Sequence, residues 1–125
     1  MKSRLFCLLL VLSTPAFAAI SQVQSEANWT GGTASCAVAP TSSTTRNNLV
    51  VFWTTWTSTS TLTATASDGT TNNSYVSAVG PTLQTATSTP TSAQLFYAVI
   101  RTGTTNTITV TFTGGSASTS GCQLP

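Results

Sequence analysis

The sequence contains no histidine, and it carries only four basic and two acidic side chains in 125 residues. Acid–base and nucleophilic catalysis need side chains that move protons or attack bonds. Beyond residue 18 there is no lysine, and Glu26 and Asp68 are the only carboxylate side chains. A sugar-cleaving pair would need these two groups within about 10 Å across a cleft, whereas a solvated residue and a turn residue explain them more simply. We therefore predict that the chain is not an enzyme.

Metal-binding patterns are also scarce. There is no His and no Cys-x-x-Cys pair, so the usual zinc ligand spacings are missing. Asp68, Asn72 and Asn73 could offer oxygen atoms to calcium, but calcium takes six to eight oxygens, several of them from carboxylates. Turn chemistry accounts for all three residues. We predict neither a metal ion nor a cofactor.

A long apolar run occurs only at the N-terminus. Lys2 and Arg4 precede the apolar run Leu5–Leu12, and small residues follow at Ala16 and Ala18. This is the order of regions in a secretory signal peptide, and the run is much shorter than the roughly 20 residues that cross a bilayer. We therefore assign residues 1–18 to a signal peptide of bacterial type. We expect cleavage at its end, no membrane span afterwards, and a secreted, extracellular or cell-surface location.

The net charge disappears with the signal peptide. The remaining charged side chains are Glu26, Arg46, Asp68 and Arg101, so the formal charge becomes 2 − 2 = 0. Nucleic acids and anionic lipid surfaces recruit clustered lysine and arginine, and the exported chain has no such cluster. We expect no nucleic-acid partner. A net charge near zero also favours self-association.

Two of the three cysteines remain after export, because Cys7 lies in the signal peptide. An isolated pair in an exported protein is most simply a disulfide, and we predict one between Cys36 and Cys122. It would close a loop of roughly 85 residues and contribute on the order of 4 kcal/mol through chain entropy. Two separate buried thiols are the alternative.

Threonine, serine and valine dominate the rest of the chain, and β-branched residues favour strands. Leu49–Trp56 is apolar at consecutive positions, which predicts a central strand covered on both faces. Thr107–Thr113 alternates apolar and hydroxyl residues, which predicts one buried face. In all, the pattern predicts six or seven strands, at Ile20–Ser25, Thr33–Val38, Leu49–Trp56, Ser60–Ala66, Ser74–Val79, Ala93–Arg101 and Thr107–Thr113.

Short strands separated by regular turn signals predict one antiparallel β-sandwich domain at 19–113. We expect a loop at 26–32, and we expect Gly80-Pro81 to end the fifth strand. A parallel solenoid is the main rival, but it would need a fixed repeat period that the sequence lacks. The Gly-, Ser- and Thr-rich segment 114–125 is predicted to be a C-terminal tail held by the disulfide, or else a truncated final strand.

Several strand and turn motifs in the central part of the chain occur in a recognisable order. They are Asn48–Val51 with Trp53, Thr65–Gly69, Tyr75, Ala78–Pro81, Phe96–Ala98 and Asn106–Phe112. Together they resemble an Ig-like β-sandwich module of uncharacterised secreted bacterial proteins, over roughly Val23 to Thr113. Members of that family continue into a further strand with a Glu-Tyr-Ser-Gly type ending, which this chain lacks. The resemblance implies a shortened adhesive or accessory module outside the cell, without catalytic residues.

Exposed aromatic rings are the remaining candidates for a binding site, because they stack on sugar rings or anchor partner proteins. Trp53 and Trp56 are three residues apart, so an extended strand turns them to opposite faces and one belongs to the core. We name Trp29, in a polar loop, Trp56, near a strand end, and Tyr75 as ligand-binding candidates. For Trp29 and Trp56, core or partial burial remains the favoured interpretation.

These observations predict a secreted or cell-surface module with a binding or structural role, adhesive or accessory. Two alternatives stay open, a carbohydrate-binding module that uses exposed aromatics and a subunit of an extracellular assembly. The expected partner is accordingly a polysaccharide or another surface protein. The outward threonine rows in Thr57–Thr65 and Thr107–Thr113 are typical of exposed strands, since a sheet twist of about 20° per strand spoils the flat array that ice binding needs.

Overall fold

Eight β-strands form the fold, and no helix occurs among the residues that the structure describes. A computed structural model supplies the coordinates and describes residues 26–31, 34–84, 89–104 and 107–125. The predicted signal peptide at 1–18 and the predicted strand Ile20–Ser25 lie outside these residues. The strands are β1 (Glu26–Gly31), β2 (Ser35–Val38), β3 (Leu49–Thr57), β4 (Thr63–Ser67), β5 (Val76–Gln84), β6 (Thr91–Val99), β7 (Ile108–Thr113) and β8 (Thr119–Leu124).

Two antiparallel sheets face each other across one core. The larger sheet has the strand order β1-β8-β3-β6-β5, and the smaller sheet has the order β2-β7-β4. Their inward side chains meet between the layers, where the largest fully buried residues include Phe52, Ile100, Ile108 and Val110. The predicted all-β, sandwich-like architecture is therefore confirmed, but the described residues alone contain eight strands instead of six or seven.

Strict alternation along β3 and β6 gives the larger sheet an inward and an outward side. Val50, Phe52, Thr54 and Trp56 are buried, and the residues between them point outward. β3 pairs with β6 over all nine residues, which confirms its central place. The prediction that both faces of β3 are covered is wrong, because no described strand lies over its outward side.

Two strands lie outside the strands that the sequence predicted. Glu26–Gly31, predicted as part of a loop, is β1 and pairs antiparallel with β8. The segment 114–125, predicted as a tail or else a truncated final strand, contains β8, which lies between β1 and β3. The buried residues of β8 include Ser120 and Gly121, whose small side chains conceal the apolar alternation of a strand. The sheet thus extends beyond the predicted domain boundary at residue 113.

β5 passes through Gly80 and Pro81 without ending, so the predicted strand end at this pair is wrong. It is an edge strand, where the missing amide hydrogen of proline costs no ladder bond. The pairing with β6 shifts register on either side of Val79. Gly80 permits this irregularity, since its φ is 98° and a Cβ there would lie 2.6 Å from the Ala93 carbonyl oxygen.

The predicted disulfide between Cys36 and Cys122 is present, with Cα atoms 5.9 Å apart. Cys36 belongs to β2 and Cys122 to β8, so the bond joins the two sheets. Next to it, Thr54 Oγ1 lies 3.3 Å from Cys36 Sγ and donates a 3.0 Å hydrogen bond to the Gly121 carbonyl oxygen. This buried hydroxyl ties β3 to β8 beside the disulfide.

Candidate functional site

The outward side of the five-stranded sheet carries a contiguous group of exposed apolar side chains. The residues meet in rows across the strands, with Leu49 opposite Val99 and Trp53 opposite Leu95, and β5 continues these rows. β3, β5 and β6 contain no Asp, Glu, Lys or Arg. We name this surface the apolar face, and its members are Leu49, Val51, Trp53, Val76, Val79, Leu95, Tyr97 and Val99.

Trp53 occupies β3 on the apolar face, with 48% of its surface exposed. Its indole Nε1 donates a 3.0 Å hydrogen bond to Gln123 Oε1 on the neighbouring strand β8. An indole has a single donor, so this bond satisfies the polar atom and fixes the orientation of the ring. Trp53 therefore presents an apolar ring that is already held in place, which lowers the entropy cost of binding.

Trp56 points the other way and is only 3% exposed. Its ring packs against Phe112 of the opposite sheet, with the ring centroids 5.2 Å apart. The predicted opposition of Trp53 and Trp56 is confirmed. Burial, which the sequence favoured for Trp56, is the arrangement observed, because proximity to the strand end does not remove it from the inward row that contains Phe52.

A groove of about 270 Å³ lies beside Trp53 on the apolar face. Its middle strand is β6, where the small side chain of Ala93 leaves a depression between Trp53 and β5. A cavity of about 150 Å³ holds a benzene molecule, so the groove has room for one six-membered ring. The lining residues are Trp53 and Thr55 of β3, Val79 and Thr82 of β5, and Ala93, Gln94 and Leu95 of β6.

Tyr75, another predicted binding residue, lies at the margin of the core. Its ring meets Phe52 edge-on at a centroid distance of 5.7 Å, and its hydroxyl donates a 3.1 Å hydrogen bond to Asp68 Oδ2. Asn73 Nδ2 donates to the same oxygen at 2.8 Å, and the Thr70 amide donates to Asp68 Oδ1 at 2.8 Å. The Asp68 carboxylate thus organises the β4–β5 turn and holds Tyr75 in place.

Asn73 extends this hydrogen-bonded cluster to the segment after β6. Its Oδ1 accepts bonds from the backbone amides of Arg101 and Thr102 at 2.9 and 3.0 Å, and its Nδ2 also donates to the Thr102 carbonyl at 2.9 Å. Asn73 is buried, and its amide group joins two chain segments that are far apart in sequence. The Asn73 side-chain oxygen, one of those considered for calcium, thus already accepts two backbone hydrogen bonds.

The protonation states of the cluster follow from its contacts. Burial raises the pKa of Asp68, but the hydrogen bonds from Asn73, Thr70 and Tyr75 lower it more, so the pKa lies below its usual 3.8. Burial first, and then the Asp68 charge, raises the pKa of Tyr75 well above its usual 10.0. The carboxylate is therefore charged and the phenol neutral near pH 7. Within the described ranges, no group of three or more His, Cys, Asp or Glu side chains could hold a metal ion.

The outward side of the three-stranded sheet has a different chemistry. The strand register places Ser35, Thr111 and Thr65 in one row, and it places Thr63 opposite Thr113. These side chains are exposed or half-buried hydroxyls. We name this surface the hydroxyl face, and its members are Ser35, Thr63, Thr65, Ser67, Thr109, Thr111 and Thr113.

Trp29 lies in β1, where its backbone pairs with Gly121. Its side chain is outside the part of the chain that the structure describes, so its role in binding stays a prediction. Sequence reasoning did not select Trp53 or Tyr97, although both are exposed. The signal was the alternation itself, since odd-numbered residues of β3 and β6 fall on the side opposite Phe52 and Phe96.

No protein-family model, curated protein or solved structure matches this chain. The described residues form no helix that could cross a membrane.

Proposed function

We propose that this chain is a secreted or cell-surface module with a binding or structural role, adhesive or accessory, and without catalytic activity. The apolar face carries this proposal. Contiguous exposed apolar surface on a small domain is typical of an interaction site. The core between the sheets is filled by other side chains, so the fold itself does not require apolar residues on this outward side.

Export is part of the proposal. The order of regions in residues 1–18 supports it, and so does the Cys36–Cys122 disulfide, since disulfides persist mainly outside the cytosol. We also propose that the sandwich is of the Ig-like type. Two antiparallel sheets joined by a disulfide support this assignment, together with the motif order that resembles Ig-like modules.

The environment of Asp68 supports a role without catalysis. Its carboxylate is buried and accepts hydrogen bonds from three donors. Its pKa lies below the usual value, whereas a general acid at neutral pH needs a raised one. The group therefore acts as a structural acceptor in the turn.

Retention on a surface tests the binding role. The exported chain carries a fluorophore at its C-terminus and is added to cells of the source organism and to insoluble polysaccharides. We expect a retained fraction, and we expect Trp53→Ala to weaken it at least about 10-fold, because a central aromatic anchor contributes about 2 kcal/mol or more. The bound and free fluorescence after sedimentation gives the affinity.

Thr65→Ala is the matched control, since it removes an exposed side chain from the hydroxyl face. We expect this variant to bind as the wild type does. Absence of retention on every surface tested contradicts the proposed role. Equal losses in Trp53→Ala and Thr65→Ala contradict the assignment of binding to the apolar face.

One observation favours a carbohydrate-binding module as the second candidate. The ring of Trp53 is held by Gln123 beside a groove with room for one six-membered ring, and the apolar side of a sugar can stack on an indole. Carbohydrate binding predicts retention on polysaccharide beads that a soluble oligosaccharide competes away and that Trp53→Ala abolishes. A protein partner predicts retention on cells that no oligosaccharide displaces.

A further inference from the structure

The charge pattern of the apolar face suits contact with a second copy of the same chain. In the five strands of its sheet the only charged side chain is Glu26, in the edge strand β1. Two copies that oppose this face therefore bring no row of like charges together. The charged side chains beyond residue 25 also sum to 2 − 2 = 0, so the overall repulsion that keeps many proteins apart is small.

The size of the face fits a weak dimer. The three strands that carry it, β3, β5 and β6, have 9 residues each. With about 3.4 Å per residue and about 4.8 Å between strands, the face measures on the order of 450 Å². Standard protein interfaces bury roughly 800 Å² per partner. We therefore expect a face-to-face dimer of this extent to be weak.

The order of bulky and small residues along β6 indicates how two copies would fit. Tyr97 is 40% exposed and follows Leu95 by two residues, while Ala93 in the groove precedes Leu95 by two. All three residues belong to the outward row of β6. A two-fold axis that lies in the interface plane at Leu95, perpendicular to the strands, brings the Tyr97 of each copy over the Ala93 of the other.

We propose that the apolar face is the interface of a two-fold symmetric dimer, in which Tyr97 of each copy fills the groove beside Trp53 of the other. The groove of about 270 Å³ accepts one aromatic ring, since about 150 Å³ is enough for benzene. Contact between the inserted phenol ring and the indole gives a favourable aromatic pair. This inference rests on the proposed function and identifies the partner of the same face as a second copy of the chain.

Sedimentation velocity of the exported chain between about 1 μM and 1 mM tests the dimer. We expect the wild type to change from monomer to dimer within this range. Tyr97→Lys should raise the dissociation constant at least about 100-fold, because two-fold symmetry buries two unpaired charges. Thr111→Lys adds the same charge to the hydroxyl face and should leave the dissociation constant unchanged. Circular dichroism and thermal unfolding verify that each variant is folded.

Ala93→Phe tests the position of the axis. The added ring occupies the groove, so the partner's phenol ring cannot enter and the dimer should weaken about 10-fold or more. A dimer that depends only on the amount of apolar surface would become stronger instead, and that result overturns the proposed geometry. If Tyr97→Lys does not fold, Ala93→Phe still tests the proposed dimer interface.

The remaining outcomes separate this inference from the proposed function. A wild type that stays monomeric throughout the range overturns the dimer, whereas the binding role stands if Trp53→Ala still lowers retention on cells or polysaccharides. A dimer that Tyr97→Lys and Thr111→Lys weaken equally overturns the assignment of the interface to the apolar face. Loss of the dimer on addition of a soluble oligosaccharide identifies a sugar as the preferred occupant and likewise overturns the inference.

Discussion

The two outward faces of the sandwich differ in chemistry although the same alternation builds both. Outward positions of the five-stranded sheet include Leu49, Trp53 and Val99, while those of the three-stranded sheet are almost all threonine or serine. The inward positions of the two sheets are alike, since both carry fully buried apolar side chains, such as Phe52 on β3 and Val110 on β7. The core constrains only the inward rows. The core therefore leaves the outward rows free to differ, and their chemistry is where a binding function can act.

Neither face is charged, so the difference between them lies in the cost of removing water. Burial of apolar surface gains about 25 cal/mol per Å², whereas a buried hydroxyl must find a new hydrogen-bond partner. The apolar face thus gains free energy from any well-fitting contact. A contact on the hydroxyl face must instead replace the hydrogen bonds that its hydroxyls make to water.

The largest expected effect on stability comes from loss of the Cys36–Cys122 disulfide, which joins the two sheets. Replacement of Cys36 and Cys122 by alanine removes a link across 86 residues and should lower the free energy of unfolding by about 4 kcal/mol. For a domain of this size the midpoint of thermal unfolding should fall by about 15 °C or more. Differential scanning calorimetry of wild type and variant measures the change. A reductant should lower the wild-type midpoint and leave that of the variant unchanged; equal midpoints for the two proteins would count against the prediction.

The next prediction compares the inward and outward sides of a single strand. Trp56→Ala leaves a cavity in the core and should cost about 3 to 4 kcal/mol, since its side chain is buried against Phe112. Trp53→Ala removes a half-exposed ring and one hydrogen bond, and should cost about 1 kcal/mol in the monomer. Denaturant unfolding of dilute protein gives both values. Similar losses of unfolding free energy in the two variants would show that Trp53 is packed as tightly as a core residue, which contradicts the prediction.

A smaller effect should come from Asp68, which lies apart from both faces. Its folded-state pKa is below 3.8, so its contribution to stability is present above that pH and is lost as the pH falls through the folded-state pKa. Asp68→Asn should cost about 2 kcal/mol at pH 7, because hydrogen bonds to a charged group are lost. It should also flatten the decline in stability below about pH 4.

Glu26→Gln is the control for this pH dependence, because it removes the other carboxylate side chain beyond the signal region. Urea unfolding at several pH values should show that the free energy of unfolding of this variant falls at low pH as that of the wild type does. If the loss of stability at low pH persists in Asp68→Asn and disappears in Glu26→Gln, it arises from Glu26, which contradicts the prediction.

The smallest change in stability should come from an exchange of chemistry between the faces. Val99→Thr and Thr111→Val replace exposed β-branched residues by isosteres, and each should alter the free energy of unfolding by less than about 0.5 kcal/mol. Binding of a hydrophobic dye should nevertheless fall in Val99→Thr and rise in Thr111→Val. Identical dye fluorescence in both variants would show that the faces do not differ in the way described.

Much of the sandwich could be predicted because alternation is a local signal. β7 has large apolar residues at every second position, so its approximate bounds and its inward row follow from that pattern. The apolar run Leu49–Trp56 located β3, but it did not show that only one face of that strand is covered. The disulfide followed from composition, since only Cys36 and Cys122 remain beyond the predicted signal peptide. Each of these inferences needed no knowledge of which strands become neighbours.

The rest depended on pairing between distant segments. β8 contains Gly121 and Ser120 and becomes recognisable as a strand only where β1 and β3 flank it. The groove beside Trp53 needs three strands in register and the irregular pairing at Val79. The burial of Trp56 needed no such pairing, because the parity it shares with Phe52 already placed it on the inward side.

The inner position of β8 also constrains when the domain can fold. β8 is the last of the eight strands in chain order, yet it lies between β1 and β3, and within the described part of the sheet β1 pairs with no other strand. The same segment delivers Cys122 to Cys36. In a chain exported as proposed, the larger sheet stays incomplete until the final strand has emerged, since such long-range pairing forms late. In such a chain β1 therefore gains its partner strand, and Cys36 its partner cysteine, only after residues 119–124 have crossed the membrane.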